Sequence, residues 1–143
     1  MIWRRFVGKP FEYAVLKVIP RVERGECINA GVVLYCQADG FLGARVHLDP
    51  ARLMALDPGA DLEAVRAHLE AFRSVCAGGP EAGAVGRLPL RERFGWLVAP
   101  RSTVVQPSEV HTGLTDDPEA ELERLLQRMV LPPGQAEPST PRS

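Results

Sequence analysis

Residues 27–48 read CINAGVVLYCQADGFLGARVHL, and the way the two halves of this stretch pair decides the fold. Ile28, Ala30, Val32, Leu34 and Cys36 are apolar at even positions, as are Leu42, Ala44, Val46 and Leu48. Side chains alternate along a strand, so each set marks one face. For both sets to share a face, even residues must pair with even ones. A two-residue turn at Asp39-Gly40 pairs even with odd. A three-residue loop, Ala38-Asp39-Gly40, pairs Gln37 with Phe41 and gives Gly40 the left-handed position that such loops favour. The expectation is therefore Leu34 opposite Ala44 and Gly31 opposite His47. The reverse face then carries Asn29, Gly31, Val33, Tyr35, Gly43, Arg45 and His47, polar and small enough for water or a ligand to approach.

Upstream, FEYAVLKVIP (11–20) is rich in β-formers and stops at Pro20, which predicts a first strand. RVERGE (21–26) makes the turn, with Gly25 free to take a positive φ. Downstream, Asp49 and Pro50 open a short helical turn. Asp61 caps a longer helix whose buried stripe is Leu62, Val65, Leu69, Phe72 and Cys76, and Gly78-Gly79 ends it. Residues 77–86 read as a flexible connector. A short helix is expected over 89–94, closed by Gly95-Trp96, then an extended segment over 102–106 and a loop with His111, Thr112 and Gly113. A last helix starts at Asp117-Pro118 and buries Leu122, Leu125, Leu126 and Met129. The Pro-rich tail over 131–143 reads as disordered. The fold class is α+β, a single domain over 1–130. An antiparallel sheet led by a three-stranded meander is expected to carry two main helices, about 61–76 and 117–130, on one face.

The bulk properties exclude more than they assign. Of 143 residues, 45% are hydrophobic and 24% charged, and the formal net charge of -1 provides no basic field for nucleic acid. No apolar run reaches the roughly 18 residues of a transmembrane helix. The start, MIWRRFVGKP, lacks the charge-free apolar core of a signal peptide. Cys27, Cys36 and Cys76 are odd in number and show no paired spacing, so neither a disulfide framework nor a metal site is expected. A reducing cytoplasm is the expected compartment.

Three segments together, FEYAVLKVIPRVERGECINAGVVLYC, LRERFGW and PRSTVVQPSEVHTG, resemble one family of small uncharacterised bacterial proteins, the domain of unknown function 3037 family. The resemblance spans roughly residues 11–130. It is carried by Arg24-Gly25-Glu26, Asn29-Ala30-Gly31, Arg93-Phe94-Gly95 and Arg101-Ser102. It implies no particular activity or cofactor. It does imply a genomic neighbour, a HipA-like kinase homologue, as a partner.

Several residues are of types that carry chemistry. A glycine turn offers backbone N–H groups, and Arg24 beside it can grip phosphate or carboxylate in two-point fashion, with Asn29 nearby. The same residues can equally form a salt-bridged turn with Asn29 tying down a neighbouring backbone group. Arg101-Ser102, entering a strand from a Pro turn, is a second anion candidate. Arg91 and Arg93, two residues apart on a helix, point away from each other. Phe94 and Trp96 either stack on a base or cap the core. Glu26, His47 and His111 are the candidates for moving a proton, while His68 sits on the solvated flank of its helix. Cys36 and Cys76 fall in core-facing sets, leaving Cys27 among polar neighbours.

Two classes of function follow. The first is a non-catalytic binding or adaptor module acting with a partner protein, such as the kinase-like neighbour. The second is a small enzyme or ligand-binding domain for a phosphorylated or nucleotide-like compound. There Arg24, Asn29, Arg101 and Ser102 would hold the ligand around one cleft.

Overall fold

The structure, a computed structural model, describes residues 8–134. Strands β1 (Lys9–Val18), β2 (Ile28–Cys36) and β3 (Phe41–Val46) form the expected antiparallel meander. Helix α1 (Pro50–Leu56) and helix α2 (Leu62–Ala77) follow. Asp49 and Asp61 cap them by accepting from backbone N–H groups of Ala51 and Ala64, as their sequence positions predict. Of residues 77–86, expected to be a flexible connector, Ala77 still belongs to α2, and Pro80–Arg87 wind into short 3₁₀ turns that lead into helix α3 (Leu90–Val98). That helix runs through Gly95 and Trp96 rather than stopping at them. Strands β4 (Val105–Pro107) and β5 (His111–Thr115) both pair with β1, and helix α4 (Pro118–Met129) closes the order. His111 therefore opens a strand and does not sit in a loop. The tail expected to be disordered lies, from residue 135 onward, outside the described residues, as does the charged start at Arg4 and Arg5.

The architecture is α+β, and the two main helices lie on opposite faces of the sheet. Ala14, Leu16, Val18, Val33 and Tyr35 pack with Val65, Leu69 and Phe72 of α2 and with Phe94 and Leu97 of α3. Phe11, Val32, Leu34 and Cys36 pack with Leu122, Leu125 and Leu126 of α4. This corrects the expectation that both helices share one face. Strand β2 is buried along both of its faces, so its run VVLYC has no solvent side to mark by polarity.

The same fact overturns the expected register. Cys36 pairs with Phe41, Val33 with Ala44, Leu34 with Gly43 and Gly31 with Val46. The connection is a four-residue turn, Gln37–Gly40, with Gly40 at φ 57. Leu34 and Ala44 consequently point to opposite sides, and the polar reverse face expected of the hairpin does not exist. Parity fails for a second reason. Leu16 pairs with Gly31 but Lys17 with Asn29, so Ala30 is an extra residue bulged out of the ladder. The bulge turns Ile28 and Ala30 to the α2 face, beside Val33 and Tyr35. An ideal Cβ on Gly31 would stand 2.9 Å from the Arg45 carbonyl oxygen, 3.0 Å from Val46 Cγ1 and 3.2 Å from Leu16 Cδ1. Gly31 is a close-approach glycine at a bulge.

Candidate functional site

The turn between β1 and β2 is internally satisfied. Gly25, at φ 73, donates its N–H toward the carbonyls of Arg21 and Val22, and Arg24 N–H bonds the Arg21 carbonyl at 3.0 Å. Those amides are engaged and do not form an open anion nest. The Arg24 Nε donates to Glu26 Oε1 at 2.9 Å across an exposed pair. This hydrogen bond and the guanidinium charge hold the Glu26 carboxyl below its ordinary range, which makes it a weaker base.

Asn29 lies on the other face. Its Nδ2 donates to the Met129 carbonyl at 2.9 Å, at the end of α4. Arg101 sits against the α2 and α3 side. Its Nη2 donates to the Trp96 carbonyl and its Nε to the Ala99 carbonyl, capping the end of α3. Its guanidinium carbon lies 5.3 Å from the Phe72 ring centre and 4.9 Å from that of Trp96. Partial burial lowers its pKa from the ordinary arginine value. Ser102 is exposed. The fold thus joins Arg24 to Glu26 but separates Asn29 from Arg101 by the sheet, and none of these four lines the larger recesses of the surface.

The histidines are similarly dispersed. His47 is exposed, and its N–H bonds the Ala30 carbonyl at the bulge, one place beyond the Gly31–Val46 pair. His111 pairs with Tyr13, its ring centre 5.3 Å from the tyrosine ring. Cys27 is exposed, while Cys36 and Cys76 are buried. Phe94 is buried in the core and stacks on Tyr35 at 5.4 Å, while Trp96 is exposed. Among the described residues no group of three or more histidine, cysteine or carboxylate side chains is arranged to hold a metal. No described helix is long and apolar enough to cross a membrane.

Arg91 and Arg93 diverge as their spacing requires. Arg91 reaches Glu12 at 3.6 Å and lies over the Tyr35 ring. Arg93 turns inward, with Nη1 donating to the Val75 and Cys76 carbonyls at 3.0 and 2.9 Å and Nε to Leu88 at 3.0 Å. Arg93, Arg101 and Asn29 thereby do the same task on three helices. Each supplies donors to the carbonyls that a helix end leaves without intrahelical partners.

The feature that the linear sequence does not disclose is the free side of β3. The strand order is β3-β2-β1-β4, with β5 also on β1, so β3 is an edge. The His47–Ala30 bond fixes the alternation of the ladder: Phe41, Gly43 and Arg45 turn their N–H and C=O groups to β2. Leu42, Ala44 and Val46 therefore turn theirs outward, and no strand among the described residues takes them up. Arg73 of α2 stands on one side of this edge. Glu119, Leu122 and Leu126 of α4 stand on the other, enclosing a groove of about 580 Å³. On the groove floor, Arg45 bonds Glu119 at 2.6 Å and Glu123 at 3.2 Å. A separate, more apolar recess of about 630 Å³ lies between Pro10, Tyr35 and Arg91. The only signal for the groove in the sequence is the absence of proline over 41–46, an edge left without one of the usual blocks.

Neither the comparison with curated proteins nor that with solved structures returns a match. The family described as protein of unknown function (DUF3037) matches residues 13–130, a span from the middle of β1 to the residue after α4 that takes in every helix described above. On that match the chain belongs to the DUF3037 family.

Proposed function

We propose that this chain is a non-catalytic protein-binding module, an adaptor, whose contact surface is the β3 edge and its two helical walls. The observation that carries this reading is the row of outward backbone groups at Leu42, Ala44 and Val46, set between α2 and α4. An unpaired strand is a template for another chain, and proteins usually break, cover or block such an edge. The opposite side of this sheet is managed in that way. There β4 and β5 are three and five residues long and are interrupted at Ser108. Ser108 turns back onto β1, with its Oγ accepting from Val15 N–H at 2.9 Å. Strand β3 carries no such interruption.

A HipA-like kinase homologue is the first partner to test, on the strength of the family resemblance. The reading of a phosphorylated or nucleotide-like ligand ranks second, because Asn29 and Arg101, two of the four residues that would hold it, stand on opposite faces of the sheet. A photo-crosslinking residue placed at Glu119, in the full chain and in its native host, tests the first reading. One protein captured in equimolar amount from Glu119, and not from a control position at Val110 on the far edge, is the expected result. Capture from Val110 alone would overturn the β3 edge as the contact surface, and a rise in melting temperature with a nucleotide and no captured protein would favour the second.

A further inference from the structure

We infer that the groove takes an extended segment of a partner protein, added beside β3 as a further strand, with acidic side chains turned to α2 and basic ones to α4. This rests on the protein-binding reading above and specifies the occupant.

Backbone geometry selects an extended chain. Leu42, Ala44 and Val46 present outward N–H and C=O groups at every second residue, a spacing that a strand matches and a helix does not. The strand is half-buried throughout, as an edge with open space beside it should be, whereas the neighbouring β2 is almost wholly buried.

The walls select the charge pattern. On the α2 side Arg73 lines the groove and Arg66 lies by a neighbouring recess at Val46. Arg73 pairs with Glu70 at 3.0 Å and Arg66 with Glu63 at 3.4 Å, exposed pairs of little strength that leave the Arg73 guanidinium open to the groove. Glu119 and Glu123 stand on the α4 side and share the single guanidinium of Arg45. Alternate side chains of an added strand would face these two walls in turn. Carboxylates toward α2 and ammonium or guanidinium groups toward α4 complement both.

The same pattern disfavours a second copy of this chain. A closed dimer through β3 needs a two-fold axis that sets the strands antiparallel and keeps each face on its own side. That axis brings α2 against α2 and α4 against α4, so Glu119 and Glu123 would meet their own copies.

A display library of linear twelve-residue peptides, selected on the full chain, tests this directly. The expected binders are rich in β-branched residues, with acidic and basic residues at alternate positions. Their binding should move the amide NMR signals of Leu42, Ala44 and Val46. Arg73→Glu and Glu119→Lys, both at exposed positions, should each weaken binding by about tenfold, on the order of one close charge pair. Exchanging the acidic and basic residues of the peptide should restore binding to the doubly reversed protein.

Binding that ignores both reversals overturns the charge pattern. Signals that move at Arg73 and Glu119 but not at Leu42, Ala44 and Val46 overturn the added strand and leave the groove as a protein site. If no peptide moves a groove signal, the inference fails while capture from Glu119 still decides the reading beneath it; a dimer in sedimentation that Ala44→Pro dissolves would overturn both.

Discussion

The side-chain amide of Asn29 donates to the backbone carbonyl of Met129 at 2.9 Å, across a separation of 100 residues. One polar side chain at the start of β2 therefore closes the end of α4, the helix that forms one wall of the groove. Asn29→Ala leaves that carbonyl half-buried without its donor, and should cost about 1–2 kcal/mol. Asn29→Asp should cost more at neutral pH, although it is nearly isosteric. It sets an anion against a carbonyl at the negative end of the helix dipole. Urea unfolding of the three proteins checks the order. Variants as stable as the native protein would show that the bond carries no stability, and equal losses in the aspartate and alanine variants would show that the added anion has no effect at the helix end.

Arg93 ties three backbone carbonyls together, those of Val75, Cys76 and Leu88. Its planar guanidinium serves two directions at once, whereas a lysine ammonium is a single point. Arg93→Lys should therefore lose most of the effect, about 1.5–3 kcal/mol, even though it keeps the charge. Arg93→Ala should lose at least as much. Amide exchange should locate the damage, with protection falling in the last turn of α2 before the centre of β1 and β2. A uniform loss across the sheet would contradict a local clamp.

The elements most legible in the sequence were those whose signals are local. Asp49-Pro50, Asp61 and Asp117-Pro118 mark three helix starts because capping involves residues two or three places apart. The meander was legible for the same reason, from short connections between β-forming runs. Register was not. Parity decides it only where one face of a sheet meets water, and β2 has cores on both sides. An extra residue at Ala30 then reverses the parity within a single strand. The candidate site fared less well because Arg93 and Asn29 act on helix ends distant in sequence, and Arg101 on the end of a helix that runs past the Gly95-Trp96 stop expected for it. Their chemistry, donating to anionic or carbonyl oxygen, was apparent; that the oxygen belongs to the chain itself is a tertiary fact. The β3 edge was hidden in the same way, since which strand stands last depends on where β4 and β5 add.

Gly31 should tolerate no side chain. A Cβ there meets the Arg45 carbonyl at 2.9 Å, which is backbone and cannot swing aside, as well as Val46 and Leu16. Gly31→Ala should destabilise by about 1–3 kcal/mol, the range for overpacking. It should also shift the amide signals of Arg45 and Val46 at the groove floor. Gly40→Ala is the informative comparison. Nothing lies within 4 Å of a Cβ at Gly40, and its φ of 57 makes the strain purely conformational. That change should cost roughly 1–2 kcal/mol and leave the Arg45 and Val46 signals in place. Circular dichroism melts and two-dimensional NMR of both variants separate the two causes.

Cys76 predicts how stability depends on alkaline pH. Burial pushes its thiol up from the ordinary 9.0 to about 12, against a partial pull downward from Arg93 and Arg73. In the unfolded chain the thiol loses its proton near pH 9, while in the folded chain it keeps it to about 12. Between those values the folded state binds the extra proton, so raising the pH favours unfolding. The contribution is complete below pH 9 and disappears progressively above it, at about 1.4 kcal/mol per pH unit within the window. Other groups titrate in the same range, so the measurement is the difference between the native protein and Cys76→Ala. At pH 7 the variant should be less stable, because the thiol fills core space on the buried side of α2. From pH 9 upward that gap should narrow and then reverse. Alkylation gives an independent check: iodoacetamide at pH 8 should modify the exposed Cys27 in the folded protein, and reach Cys36 and Cys76 only in denaturant. Parallel stability curves for the two proteins from pH 9 to 11 would show that the Cys76 thiol is not held neutral by the core.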